Sequence, residues 1–209
     1  MNVTPDCGAI LLAGGKGTRL GYDKPHVRLG SRTLLQHVID AAENISDEIV
    51  LVVGGDEDLL FSLEKQHPSI TVIRDDQNGV GPMMGIYTGM KRLTTEYAVV
   101  LPCDAPFISV PLMMELIRLA RDSDAAIPIW PNQYLEPLHS VYRIEPSITA
   151  IESALNCGEK SVLDLIKRLE RVNKVPVEAL RKFDSELHTF FNVNYPEDLK
   201  TAYEIQSEK

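Results

Sequence analysis

Ala9-Ile10-Leu11-Leu12-Ala13-Gly14-Gly15-Lys16-Gly17-Thr18-Arg19-Leu20-Gly21 is the stretch on which the reading of this chain turns. Ala9 to Leu12 is apolar throughout rather than alternating, the pattern of a strand covered on both faces. It runs straight into four glycines within eight residues, Gly14, Gly15, Gly17 and Gly21. A buried strand that ends in glycines implies a strand–loop–helix unit, and the rest of the chain repeats the alternation. Glu48–Val53, Thr71–Ile73 and Ala98–Leu101 read as further apolar strands. Ala125–Ile129, Leu138–Tyr142 and Phe190–Val193 are later strand candidates. Helical spacing marks Thr33–Asn44, Leu59–Gln66, Ile86–Leu93 and Ser109–Asp122. It recurs through Ile148, Ile151 and Leu155, over Ser161–Leu169, and in a terminal helix opened by Pro196. Strand–helix alternation predicts an α/β fold, a three-layer α/β/α sandwich around a mostly parallel sheet. Ligands of such sheets sit beyond the C-terminal strand ends. The unusual residues cluster there, after Leu12, Ile73 and Leu101.

Length and composition set the outer bounds. The chain has 209 residues and a mass of 23.3 kDa, which predicts a single domain spanning 1–209. Hydrophobic residues at 44% and charged residues at 24% are ordinary globular usage and argue against disorder. A net charge of −9 disfavours a nucleic-acid surface, which needs a basic footprint, but leaves room for one small anionic ligand. Cys7, Cys103 and Cys157 are odd in number and far apart, so neither a disulfide framework nor a structural zinc site is expected. The start of the chain has no basic-then-apolar leader, and no apolar run is long enough to span a bilayer. The expectation is a cytoplasmic protein with no membrane and no nucleic-acid partner.

Four segments could carry chemistry. In the glycine loop, backbone N–H groups can approach a ligand closely, and Lys16, Arg19 and Lys24 add local positive charge, which suits a polyphosphate. The Walker pattern fails because Gly17 follows Lys16, and the dinucleotide fingerprint fails because position 20 is Leu20. Asp104, within Leu101-Pro102-Cys103-Asp104-Ala105-Pro106-Phe107, follows a buried strand and is held between prolines; a hard carboxylate there suits Mg²⁺. An Asp in that place could instead cap the next helix, but Ser109 already offers a cap. Cys103 reads as a small packed residue rather than a nucleophile, with no His beside it. In Arg74–Pro82, the pair Asp75-Asp76 could ligate a metal or hold a hydroxyl, and a polar turn satisfies the same residues equally well. Asn192 and Asn194, at i and i+2, could offer amides jointly to a phosphate or a pterin-like ring; an Asn-x-Pro helix entry accounts for them as well, and on the residues alone it is the favoured reading. The five His form no ligand set, and His139, following a predicted strand, is the one singled out.

Taken in order, these pieces resemble a known family. Leu12-Ala13-Gly14-Gly15 through Arg19-Leu20-Gly21-Tyr22-Asp23-Lys24 is similar to the opening signature of the molybdenum cofactor guanylyltransferases, members of a GT-A-like, Rossmann-like nucleotidyltransferase superfamily. Gly81-Pro82-Met83-Met84-Gly85-Ile86, Pro102–Phe107 and Pro137–Arg143 resemble that family's later segments. Phe191-Asn192-Val193-Asn194-Tyr195-Pro196-Glu197-Asp198-Leu199 resembles the segment that points to the molybdenum cofactor branch. The resemblance spans about residues 8–202. It implies Mg²⁺-dependent transfer of GMP from GTP to the phosphate of molybdenum–molybdopterin, with pyrophosphate released. It implies that Leu12 and Ala13 line the base pocket, that Gly14, Gly15 and Gly17 cradle the triphosphate, and that Arg19 and Lys24 neutralise its charge. It further implies that Asp104 holds Mg²⁺, that Asp75 contacts the nucleotide or supports the metal, and that Asn192 and Asn194 face the acceptor. A nucleotide-binding half of about 1–107 and an acceptor-binding half of about 108–209 follow, with handover to molybdoenzymes or their chaperones. Two alternatives stay open: a related enzyme with another base or acceptor (molybdopterin cytidylyl, cobinamide-phosphate guanylyl, sugar-phosphate), and a nucleotide-binding regulatory module without turnover.

Overall fold

The strand read from Ala9–Leu12 is β1 (Cys7–Ala13), buried along nearly its whole length. A computed structural model describes residues 6–13, 27–54, 65, 67–75 and 81–207 of the chain. The helix predicted over Leu59–Gln66 therefore lies almost wholly outside the described residues. So do Gly14, Gly15, Gly17, Arg19 and Lys24 of the glycine loop.

Parallel partners flank β1. On one side lie β4 (Ile49–Val53) and then β5 (Thr71–Arg74); on the other lies β6 (Tyr97–Pro102). Beyond β6 come β8 (Ser140–Arg143), β7 (Ala125–Ile129) and β9 (Val172–Pro176), giving the order β5-β4-β1-β6-β8-β7-β9. Only β8 runs against the rest. A minor hairpin of β2 (Arg28–Leu29) and β3 (Arg32–Thr33) stands apart from this sheet.

Alternate residues of β1 face opposite layers. Ala9, Leu11 and Ala13 pack with α1 (Leu34–Glu43) and α3 (Val110–Ala120), whereas Ile10 and Leu12 pack with α2 (Pro82–Met90), α4 (Ile144–Asn156) and α5 (Val162–Ile166). This double coverage is why β1 and β6 are apolar throughout. The three layers agree with the sequence expectation.

Local chemistry sets the helix starts. Thr33 caps α1 in a reciprocal box, Gln36 N–H donating to Thr33 Oγ1 at 3.2 Å and Thr33 N–H to Gln36 Oε1 at 2.8 Å. Ser109 caps α3, as its sequence suggested. The helix expected from Ile86 starts earlier, at Pro82, because Gly81 takes φ +103° and Pro82 is preset for the first turn. α2 then lies so close to the sheet that a Cβ on Gly89 would come within 2.7 Å of Ile10 Cγ2.

Other corrections concern the second half. The strand read at Leu138 begins two residues later, leaving His139 just before it. β9 and the short helix α6 (Val177–Leu180) gave no clear periodicity. Phe190–Val193 is not a strand: His188–Phe190 forms a 3-10 turn, and the segment then runs outside the sheet before α7 (Pro196–Ser207). Among the described residues no helix is long and apolar enough to cross a membrane.

Candidate active site at the carboxyl edge of the sheet

Four parallel strands end together. Ala13 is level with Val53, and Val53 with Arg74, while Leu12 is level with Pro102. The backbone continues this alignment past the strands: Asp75 N–H donates to Val53 O at 2.9 Å and Cys103 N–H to Leu12 O at 3.1 Å. Leu12, Ala13, Asp75 and Asp104 therefore stand on one edge. β1, which the glycine loop follows in sequence, ends between the strands that carry the two carboxylates. Asp75 and Asp104 are separated by three strand intervals, roughly 14 Å at about 4.8 Å each, so they stand at different places along this edge rather than as a pair on one ion.

Asp104 is also joined from the far end of the chain. Its backbone carbonyl accepts from Val193 N–H at 2.8 Å, which lays Asn192–Asn194 beside the β6 end. This joint is braced on both sides. Phe107 packs on Phe191 with ring centroids 6.2 Å apart. The preceding turn is latched by Asp184 Oδ2, which accepts from Thr189 N–H and Oγ1, each at 2.7 Å, while Thr189 Oγ1 accepts from Ser109 N–H at 3.0 Å. After the joint, Asp198 Oδ2 takes both Asn194 and Tyr195 N–H at 2.8 Å and fixes the entry into α7. Asn192 Oδ1 is buried with no hydrogen-bond partner.

A second polar group borders the joint. Trp130 Nε1–H donates to Glu136 Oε1 at 2.7 Å, and Glu136 Oε2 lies 3.7 Å from His139 Nδ1, beyond hydrogen-bond reach. Trp130 and His139 both set their rings edge-on to Phe190, with centroids 5.9 and 5.5 Å away. The sequence signalled His139 only weakly. Trp130 and Glu136 gave no sign, because Trp130 packs on an aromatic residue sixty positions later and Glu136 is placed by Trp130. Cys103 is buried, as its packed reading required.

The donor set bears on the metal. Among the described residues no group of three or more His, Cys, Asp or Glu converges as an all-protein metal cage. Mg²⁺ does not need one, since it is usually held by one or two carboxylates together with substrate phosphates and water. A single carboxylate at Asp104, on the edge where β1 also ends, fits that mode.

A doubly wound sheet with a glycine loop after its first strand and a carboxylate after the adjacent one defines a nucleotide-handling α/β enzyme. The family model described as a MobA-like NTP transferase domain matches residues 9–172. The chain belongs to that family, and it is a nucleotidyltransferase. It is 34% identical to a probable molybdenum cofactor guanylyltransferase of Methanosarcina mazei over 206 residues, covering 96% of this chain and 92% of that one. It is 31% identical to the molybdenum cofactor guanylyltransferase of Pseudomonas entomophila, covering 92% and 96% of the two chains. The crystal structure of molybdopterin-guanine dinucleotide biosynthesis protein A from Archaeoglobus fulgidus superposes with a TM-score of 0.80 at 33% identity, covering 97% of this chain and 100% of that one. A 4-diphosphocytidyl-2C-methyl-D-erythritol synthase from Anaerococcus prevotii shares the fold, with a TM-score of 0.72 at 18% identity.

Proposed function

We propose that this nucleotidyltransferase moves GMP from GTP to the terminal phosphate of a molybdopterin-type acceptor and releases pyrophosphate. One observation supports the reading: the bond from Val193 N–H to the backbone carbonyl of Asp104, which seats the Asn192–Asn194 segment beside the end of β6. A nucleotide on the β1 side and an acceptor on the Asn192 side would then meet over Asp104. The names of the relatives support guanine as the base and the molybdenum cofactor as the product.

The chemistry asks little of the protein beyond placement and charge. An acceptor phosphate oxygen attacks the α-phosphorus, and the bond from that phosphorus to the oxygen bridging the β-phosphorus breaks. The electron pair leaves with pyrophosphate. A phosphate monoester dianion is already a nucleophile, so no general base is needed, and catalysis rests on alignment and electrostatics. Gly14, Gly15 and Gly17 would offer backbone N–H groups, and Arg19 and Lys24 positive charge, to the triphosphate. Leu12 and Ala13 would wall the base. Asp75, three strand intervals from Asp104, is better placed for the nucleoside than for a metal held there. Asn192 and Asn194 would face the acceptor. Bound through Asp104, Mg²⁺ would supply neutralising charge to the phosphates.

The test is pyrophosphate release from GTP, Mg²⁺ and molybdopterin, with thermal shifts by GTP, CTP, ATP and UTP run beside it. Release with molybdopterin and the largest shift from GTP are expected. Preference for CTP, or turnover only with a sugar phosphate, would overturn the assignment.

A further inference from the structure

Among the described residues, buried apolar side chains gather into three clusters. Two of them fill the layers on either face of the sheet. The third is built on Val27, Leu29, Phe107, Val193, Ala202 and Ile205, and contains no residue of the seven-stranded sheet. Its members are sequence neighbours of the candidate site instead. Val27 is three positions after Lys24, Phe107 is three after Asp104, and Val193 stands between Asn192 and Asn194.

The helix that closes this cluster has no other apolar attachment. α7 runs over twelve residues and buries only two, Ala202 and Ile205, both of them here. Backbone bonds tie the same segments together. Val27 O accepts from Leu34 N–H at 2.8 Å where α1 begins, and Asp104 O accepts from Val193 N–H at 2.8 Å. The Phe107 and Phe191 rings pack with centroids 6.2 Å apart, and Tyr203 Oη of α7 reaches Arg28 O at 3.3 Å.

We infer that Ile205 is a positioning residue of the active site. From the last helix it fills the cluster that holds three segments in fixed relation: the chain that follows Lys24, the turn that carries Asp104, and the Asn192–Asn194 stretch. Close-packed interiors do not absorb lost volume for nothing; a gap at Ile205 must remain open or be filled by movement of its neighbours. Those neighbours are the segments whose mutual alignment an in-line transfer requires, and small misplacements there cost rate. The inference rests on the roles proposed above for Lys24, Asp104 and the two Asn residues, and adds a residue that touches no substrate.

The test compares Ile205→Ala and Ile205→Val with a control, Ile151→Ala. Ile151 is fully buried on α4, in a cluster that holds none of these three segments. Pyrophosphate release is measured on the full-length proteins at a temperature where melting curves show each to be folded. The pairs used are GTP with molybdopterin, CTP with molybdopterin, and GTP with glucose 1-phosphate. Ile205→Ala should lower kcat about tenfold or more on the pair that the wild type turns over, with the KM for the nucleotide near the wild-type value. Ile205→Val, which keeps the branch at Cβ and most of the volume, should recover most of that loss. Ile151→Ala should lower Tm at least as far and keep the wild-type kcat. Unchanged kcat in Ile205→Ala overturns the inference. So does an equal fall of kcat in Ile151→Ala, which marks general destabilisation, and so does a wild type that turns over none of the pairs. Turnover with CTP or glucose 1-phosphate in place of GTP and molybdopterin, with the same kcat pattern, would count against the proposed base or acceptor and uphold this inference.

Discussion

Asp104 owes its place to two local facts and one distant one: a buried strand ends at Pro102, a second proline follows at 106, and its backbone carbonyl is tied to Val193. None of these depends on its carboxylate. Asp104→Asn should therefore leave Tm within about 2 °C while, under the proposed role of Asp104 toward Mg²⁺, pyrophosphate release falls about a hundredfold or more. Steady-state release beside a melting curve checks both. Asn192→Ala tests the proposed acceptor side. Its expected signature is an acceptor KM raised about tenfold with the KM for GTP unmoved. Asp104 was visible in the sequence because everything that positions it up to the Val193 bond is local. His139 was singled out but no role followed, since its burial comes from Phe190 and its neighbour Glu136 means nothing until the intervening loop is folded.

Each secondary element is set by caps and close approaches that can be broken one at a time. Gly89 is the clearest packing case: its α-carbon faces the branched, fully buried Ile10 on β1. Gly89→Ala would have to push helix from strand, and a loss of about 1–3 kcal/mol in urea unfolding is expected. At the far edge of the sheet, Asp124 joins three elements. Its carboxylate accepts from Arg171 N–H at 2.9 Å and from the Arg171 guanidinium at 3.0 Å, and its carbonyl accepts from Arg143 N–H at 2.8 Å. Burial alone would raise this carboxyl, but the bonds from Arg171 outweigh it and hold it below the usual carboxylate range. A depressed pKa in the folded state gives stability that is present above the unfolded value, near 4, and is lost as pH falls below it. Asp124→Asn should thus be less stable than wild type at pH 7, with the gap closing in acid-unfolding curves taken from about pH 4 downward. Of these starts the sequence showed Ser109 as a cap and Thr33 as a helix beginning, but Gly81-Pro82 was read as part of a polar turn with the helix placed from Ile86. Phe190–Val193 misled, because an aromatic, β-branched run looks like a strand whether or not a neighbouring strand is free to pair with it.

The whole molecule is closed by its last helix. Ala202 and Ile205 of α7 bury against Val27, Leu29, Leu34, Phe107 and Val193, and Tyr203 Oη donates to Arg28 O at 3.3 Å. Removing residues from Tyr195 onward strips Ile205 and Ala202 from that cluster, about 2 kcal/mol or more of buried apolar surface. At this size the expected fall in Tm is about 5 °C. It also frees Asn192–Asn194 from Asp198, so acceptor affinity should drop more than GTP affinity, which paired titrations would show.

Period and punctuation along the chain were enough to specify a three-layer α/β sandwich, the main strands around β1, and a carboxyl edge bearing Leu12, Ala13, Asp75 and Asp104. Such signals are local, a few residues long, and survive in one dimension. Strand order, the reversed β8, the exclusion of Phe190–Val193 from the sheet, and the meeting of Asp104 with Val193 were settled only in three dimensions. Each depends on which distant segments find room beside one another, a matter of packing between surfaces that no single stretch of sequence contains.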